Sequence, residues 1–169
     1  MTEHLLKVHQ RIAEQGWYSM LVEADVGSPG WGYTVGLADG SSHPELLVIG
    51  SKLESTALLL ETFATAVIDE FEQYQVGDVI IFDDQRSVRF GEVHQAHLTS
   101  GLMNGWERYY GSLRQPPPRL EVLQMMLSDG WFCRCHGGTQ IDLSDPAPLP
   151  RPSANRAERR RRRQRGRHG

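Results

Sequence analysis

Apolar positions near the start of the chain recur at helical spacing. Leu5, Val8 and Ile12 fall on one face of a predicted helix. Thr2 is a residue type that caps helix N-termini, and Gly16 is the type that ends helices. This pattern predicts a first helix between these two residues.

A longer apolar stripe predicts a second helix over 52–74. Ser51 and Glu54 have the spacing of a capping box, in which each side chain bonds a free backbone N–H group. Positions spaced alternately by four and three residues form the buried stripe: Leu53, Ala57, Leu60, Ala64, Val67, Phe71 and Tyr74.

Strand-like segments fill most of the remaining chain. Those at 79–82 and 87–93 predict a hairpin, and a second hairpin joins 119–127 to 131–136. The other predicted strands are 17–24, 31–37 and 45–50, and a short helix is expected near 106–110. The pattern predicts an α+β fold, with an antiparallel or mixed sheet of six to seven strands, either open or barrel-like, and two to three helices.

Charge divides the 169 residues into two parts. Residues 151–169 hold nine arginines and one acid, for a net charge of +8, whereas residues 1–150 hold nine basic and twenty acidic side chains, for −11. We therefore expect a single α+β domain over 1–150 and a disordered arginine-rich tail over 151–169. No leader-like segment and no apolar run of membrane-spanning length occurs, so a cytoplasmic location is expected.

The tail is a candidate contact for RNA, DNA or another polyanion. Its composition is similar to that of arginine-rich peptides that fold on RNA. The alternative is a solvated tail that aids solubility or leans on the acidic body. The candidate nucleic-acid-binding residues are Arg156, Arg159, Arg160, Arg161, Arg162, Arg163, Arg165 and Arg167.

Two predicted strands flank a polar loop that ends in a histidine beside a carboxylate. His43 and Glu45 suit acid–base chemistry or ligand capture, because a carboxylate favours an imidazolium. A structural corner is the alternative, in which both side chains bond backbone groups. The candidate ligand-binding residues are Trp31, Tyr33, Thr34, Gly36, His43 and Glu45.

The order Tyr-Thr-Val-Gly-Leu, a short polar loop and His-Pro-Glu-Leu resembles the bacterial family catalogued as domain of unknown function 4262. Gly16-Trp17 and Leu123-Gln124 also fit, and the resemblance covers about residues 12–135. It implies no established activity. The matching residues that it brings forward are Tyr33, Thr34, Gly36, His43, Pro44 and Glu45.

These observations favour a binding module for a small ligand or protein, with a polyanion-binding tail. The alternative is an enzyme that uses the pocket of Tyr33, Thr34, His43 and Glu45. The same strand pair has a short likeness to flavin-reductase split barrels, so a flavin-dependent oxidoreductase is the specific form of that alternative. The sequence identifies no cofactor.

Cys133, Cys135 and His136 form a compact group of metal-ligand residue types. The C-x-C spacing differs from the C-x₂₋₄-C of ready-made zinc sites, so we expect thiols rather than a metal. A zinc site at these three residues is the alternative. His94 and His97 are expected to be solvated or bonded to carbonyl groups.

Overall fold

Six strands form one mixed sheet in the computed structural model of the chain, which describes residues 2–25, 28–113, 115–131 and 140–146. The strands lie in the order β1-β2-β3-β6-β5-β4, and only β3 and β6 run parallel. The sheet is open, with β1 and β4 at its edges, and does not close into a barrel. The strand bounds are Tyr18–Val22 (β1), Trp31–Val35 (β2), Glu45–Ile49 (β3), Val79–Ile81 (β4), Ser87–Glu92 (β5) and Val122–Leu127 (β6).

Five helices occur in these described ranges, which exceeds the expected two to three. The additional ones, α2 and α4, are single turns, too short for the apolar periodicity on which the prediction relied. A π-helical turn over Leu98–Leu102 precedes α5. The helices are Glu3–Gln15 (α1), Leu37–Gly40 (α2), Leu53–Asp69 (α3), Gln95–His97 (α4) and Asn104–Gly111 (α5).

Helices cover both faces of the sheet at its centre. In β3, Leu46 and Val48 pack with α3, whereas Leu47 and Ile49 face the core shared with α1 and α5. Side chains alternate between the two faces of a strand, so a strand that is buried on both faces is apolar throughout. The continuous apolar run of β3 therefore predicts its central place correctly.

The first helix is confirmed at both ends. Thr2 accepts a hydrogen bond from the Leu5 N–H group at 3.4 Å, and Gly16 ends the helix with a φ of 87°. The Gly16 N–H group donates to the carbonyl of Ile12 at 2.8 Å. The residue types at 2 and 16 were sufficient to predict the ends of this helix, because each cap bonds backbone groups within one helical turn.

The second helix differs from its prediction at both ends. Lys52 occupies the cap position, and the Ser51 hydroxyl bonds Thr56 at 2.6 Å, so the predicted capping box is wrong. The helix ends at Asp69, and Phe71 adopts a φ of 59° and is 82% exposed. Tyr74 still packs inward, with its ring stacked on Phe90 at 4.6 Å, but it does so from a loop.

The first predicted hairpin is confirmed by the antiparallel pairing of β4 with β5. The first strand of the second predicted hairpin is present as β6, which pairs with β3 and β5, whereas residues 132–136 of its partner strand lie outside the described ranges. Asp129–Trp131 forms a 3₁₀ turn in place of the start of a strand.

Among the described residues, no helix is both long and apolar enough to cross a membrane.

Candidate functional site

Glu45 is a fully buried carboxylate held where β2 turns into α2. One carboxylate oxygen accepts a hydrogen bond from the Thr34 hydroxyl at 2.7 Å, and the other accepts from the Gly36 N–H group at 2.9 Å. The N–H groups of Leu37 and Ala38 also act on this carboxylate. Successive N–H groups at such a turn form a concave anion-binding nest, and Glu45 occupies it.

The nest depends on the backbone at Gly36. Its φ is 115°, a left-handed conformation that favours glycine. A Cβ atom at this position would also lie 2.8 Å from the carbonyl oxygen of Gly16. Gly36 therefore contributes to the site through its conformation and its N–H group.

Thr34 links the nest to the sheet. Its hydroxyl oxygen accepts the Leu46 N–H group at 2.8 Å while the hydroxyl donates to Glu45. Burial raises the pKa of the Glu45 carboxyl, and this effect exceeds the opposing effect of the donors from Thr34 and the backbone. The residues Thr34, Gly36 and Glu45 thus form one hydrogen-bonded unit inside the fold.

His43 lies apart from that unit and faces Tyr74. Its Nε2 atom accepts the Tyr74 N–H group at 3.0 Å, so the ring proton lies on Nδ1 and is donated to the carbonyl of Pro44 at 2.6 Å. The His43 and Tyr74 rings meet edge to face, with centroids 5.8 Å apart. Burial lowers the pKa of His43, which keeps the ring neutral. Both ring nitrogens are therefore engaged within the protein.

Tyr33 and Trp31 pack on the face of the sheet that α5 covers, and they hold the segment that leads into α5. The Tyr33 hydroxyl oxygen accepts the Gly105 N–H group at 2.8 Å, and the Trp31 indole donates to the carbonyl of Leu102 at 3.1 Å. Burial raises the pKa of Tyr33. These two side chains fix the start of α5 against β2.

Two buried polar atoms on α5 make no hydrogen bond within the described part of the chain. They are Nε1 of Trp106 and the hydroxyl oxygen of Tyr110, whose residues are 6% and 3% exposed. The two rings are in contact, with centroids 4.6 Å apart. Buried polar groups nearly always have a hydrogen-bond partner. Two neighbouring exceptions point to a bound ligand, or to a loss of folding stability that is tolerated because the groups serve a function.

The Tyr110 hydroxyl also responds electrostatically to Glu45. Burial is the main cause of its strongly raised pKa, and the charges of Glu45 and Asp39 raise it further. Glu45, Leu47 and Ile49 alternate onto the same face of β3, which is the face that α5 covers. The buried carboxyl and the two unpaired donors therefore belong to one region of the core.

Sequence reasoning did not select Trp106 or Tyr110 as candidate residues. Their spacing of four residues places them on one helix face, which is the ordinary pattern of core aromatics. Nothing in a single sequence distinguishes a paired indole N–H group from an unpaired one. The signal is three-dimensional.

The other candidates lie elsewhere. His97 is buried, and its Nε2 atom bonds the carbonyl of Asp145 at 2.6 Å, whereas His94 is exposed and accepts the Ala96 N–H group. No group of three or more His, Cys, Asp or Glu side chains suited to a metal occurs in the described ranges. Cys133, Cys135 and His136 lie outside those ranges, as do residues 151–169 of the arginine-rich segment.

Comparison with known proteins gives one match. No curated protein and no solved structure matches the chain. A family model described as a domain of unknown function, DUF4262, matches residues 11–131. These residues include all six strands and the helices α2 to α5. The chain therefore belongs to the DUF4262 family.

Proposed function

We propose that this protein is a binding module for a small ligand, held between α5 and the β2–β3 pair. The observation that carries the proposal is the pair of buried donors, Trp106 Nε1–H and Tyr110 O–H, which lack acceptors within the described chain. Leaving a buried donor unpaired costs about 1–3 kcal/mol, so two adjacent ones are a costly arrangement unless a bound molecule supplies the acceptor.

The motif residues support the arrangement of α5 and do not supply the two unpaired donors. Thr34, Gly36 and Glu45 engage their polar groups with one another and hold the end of β2 against the start of β3. Tyr33 and Trp31 set the position of α5 and hence of the two donors. The ligand therefore meets α5 directly and the motif at its edge.

Binding is favoured over acid–base catalysis by the state of His43. A general base needs a free nitrogen within reach of the substrate. Nδ1 of His43 bonds Pro44 and Nε2 bonds the backbone of Tyr74, so neither nitrogen is free.

A thermal-shift screen of small metabolites of mixed charge tests the proposal, because a ligand that binds only the native state raises Tm. At least one compound should raise the Tm of the wild type and should raise that of Tyr110→Phe much less. Tyr109→Phe is the matched control, since the Tyr109 hydroxyl bonds His9 at 3.1 Å. A screen without a hit, or hits that act equally on Tyr110→Phe, would contradict the proposal.

We further propose that residues 151–169 bind polyanions, which the charge division between the +8 tail and the −11 body favours. With about six to eight arginines engaged, log K should fall with log salt at a slope of about −4 to −6 on single-stranded nucleic acid. Truncation after Pro150 should abolish binding. The isolated tail peptide should bind more tightly than the full chain, because the acidic pairs 69–70 and 83–84 compete for the arginines.

Replacing the eight candidate arginines with lysine is the control, since the charge is kept. This variant should retain the salt slope. Binding of RNA or DNA by the truncated body at physiological salt would contradict the polyanion proposal.

A further inference from the structure

We infer that the ligand at Trp106 and Tyr110 is neutral and presents a hydrogen-bond acceptor, such as an amide or ring carbonyl oxygen. This inference rests on the proposed function and specifies its ligand class. It concerns two side chains of α5 that lie outside the Tyr-Thr-Val-Gly-Leu and His-Pro-Glu motif.

The two unpaired groups require an acceptor. The Trp106 indole N–H is a donor only, and the Tyr110 hydroxyl donates as well as accepts. Their rings adjoin at a centroid distance of 4.6 Å with an interplanar angle of 46°. A ligand atom facing the indole must therefore be an acceptor, which excludes ammonium and other pure donors at that point.

Glu45 does not supply this acceptor. One of its oxygens is bonded to the Thr34 hydroxyl and the other to the Gly36 N–H group, and the N–H groups of Leu37 and Ala38 face the same carboxyl. Both of its oxygens are therefore already engaged by donors within the fold. No group of the described residues accepts from Trp106 or Tyr110, which leaves that role to a bound molecule.

The charges around Tyr110 disfavour an anionic ligand. The side chains that act electrostatically on its hydroxyl are Glu45, Asp39 and Tyr109, and all three are acidic. Arg108 acts on the neighbouring Tyr33, but Glu107 acts there with the opposite sign. A buried anion needs a cation or several strong donors to offset its lost hydration, and two neutral donors beside a carboxyl group do not provide that.

The indole N–H resonance of Trp106 reports directly on the acceptor. The chain has four tryptophans, so a ¹⁵N-correlated NMR spectrum shows at most four indole signals, and Trp106→Phe identifies the relevant one. The probes are two pairs matched in shape and different in charge: acetamide against acetate, and benzamide against benzoate, each titrated at pH 7. The two sizes cover a small and a ring-sized ligand.

An amide probe should shift the Trp106 signal downfield in a saturable manner, and the matching carboxylate should bind about tenfold more weakly or not at all. The shift should be weakened in Tyr110→Phe and retained in Tyr109→Phe. A carboxylate that binds as well as its amide would overturn the neutral class while leaving the proposed function standing. If none of the four probes moves the signal, the inference is overturned; the proposed function falls only if the metabolite screen also gives no hit.

Discussion

Glu45→Gln is the most informative change in the buried carboxyl unit. The substitution keeps the shape of the side chain and replaces one acceptor oxygen with an NH₂ donor. In the wild type, one oxygen accepts the Thr34 hydroxyl at 2.7 Å and the other accepts the Gly36 N–H group at 2.9 Å. Whichever way the amide is oriented, its NH₂ group faces one of these donors.

The expected loss follows from that conflict. If the NH₂ group faces Gly36, the N–H group of that residue has no acceptor. If it faces Thr34, the hydroxyl loses the acceptor for its hydrogen, since its oxygen already accepts the Leu46 N–H group. An unpaired buried donor costs about 1–3 kcal/mol, and we expect the free energy of unfolding to fall by that amount.

The difference in stability between the wild type and Glu45→Gln should change with pH in a direction that can be derived. Burial raises the pKa of Glu45 in the folded chain, so the folded state holds this proton more tightly than the unfolded state. The contribution of Glu45 to stability is therefore full below its ordinary pKa of about 4.3 and falls as the pH rises through the folded pKa. Glutamine has no such proton, so the stability gap between wild type and Glu45→Gln should narrow as the pH rises.

Urea unfolding across this pH range measures the gap, with Glu61→Gln on the exposed face of α3 as the control. The control should lie within about 0.5 kcal/mol of the wild type. A gap that widens with rising pH would refute the reasoning, since it would mean that the donors of the nest outweigh burial. The absence of any gap would show that the carboxyl unit contributes nothing to the fold.

Two further predictions concern helix packing and the attachment of α5. Leu60→Ala should lower the free energy of unfolding in urea by about 2–5 kcal/mol, because Leu60 is fully buried. Leu58→Ala on the same helix should lower it much less, because Leu58 is 59% exposed. Equal losses of stability in the two variants would contradict the packing of α3. At Gly105 a Cβ atom would lie 2.5 Å from the Tyr33 hydroxyl, whereas at Gly111 it would meet nothing within 4 Å. Gly105→Ala should therefore lower the free energy of unfolding by about 1–3 kcal/mol and Gly111→Ala should not, and the reverse order would be inconsistent with the contact between Tyr33 and α5.

The sequence predicted those elements whose signals are local. The caps of α1 at Thr2 and Gly16 and the alternation of the strands needed only neighbouring residues. The parallel pairing of β3 with β6 joins segments more than seventy residues apart, and periodicity carries no information on partners. The end of α3 was missed because Tyr74 keeps its inward position after the helix has stopped.

The motif supplied the candidate ligand-binding residues, but it did not predict the hydrogen bonds that they make. The motif directed attention to Glu45, whose partners depend on the left-handed turn at Gly36 that places successive N–H groups around one carboxyl. His43 and Glu45 are close in sequence but have different partners, since His43 contacts Tyr74 whereas Glu45 bonds Thr34 and Gly36. The donors of Trp106 and Tyr110 could not be found from sequence, because hydrogen bonding is a property of their surroundings.

Stability of Tyr110→Phe after removal of any bound molecule tests the central claim most directly. The protein is unfolded in urea, dialysed, refolded and then titrated with urea. If the buried hydroxyl of Tyr110 is retained for ligand binding, its deletion should raise the free energy of unfolding by about 1–3 kcal/mol. Tyr109→Phe is the control, because it removes a hydrogen bond to His9 and should lower the free energy of unfolding by about 0.5–1.5 kcal/mol. A Tyr110→Phe variant less stable than the wild type would show that the hydroxyl is already satisfied in the free protein, and would contradict the account.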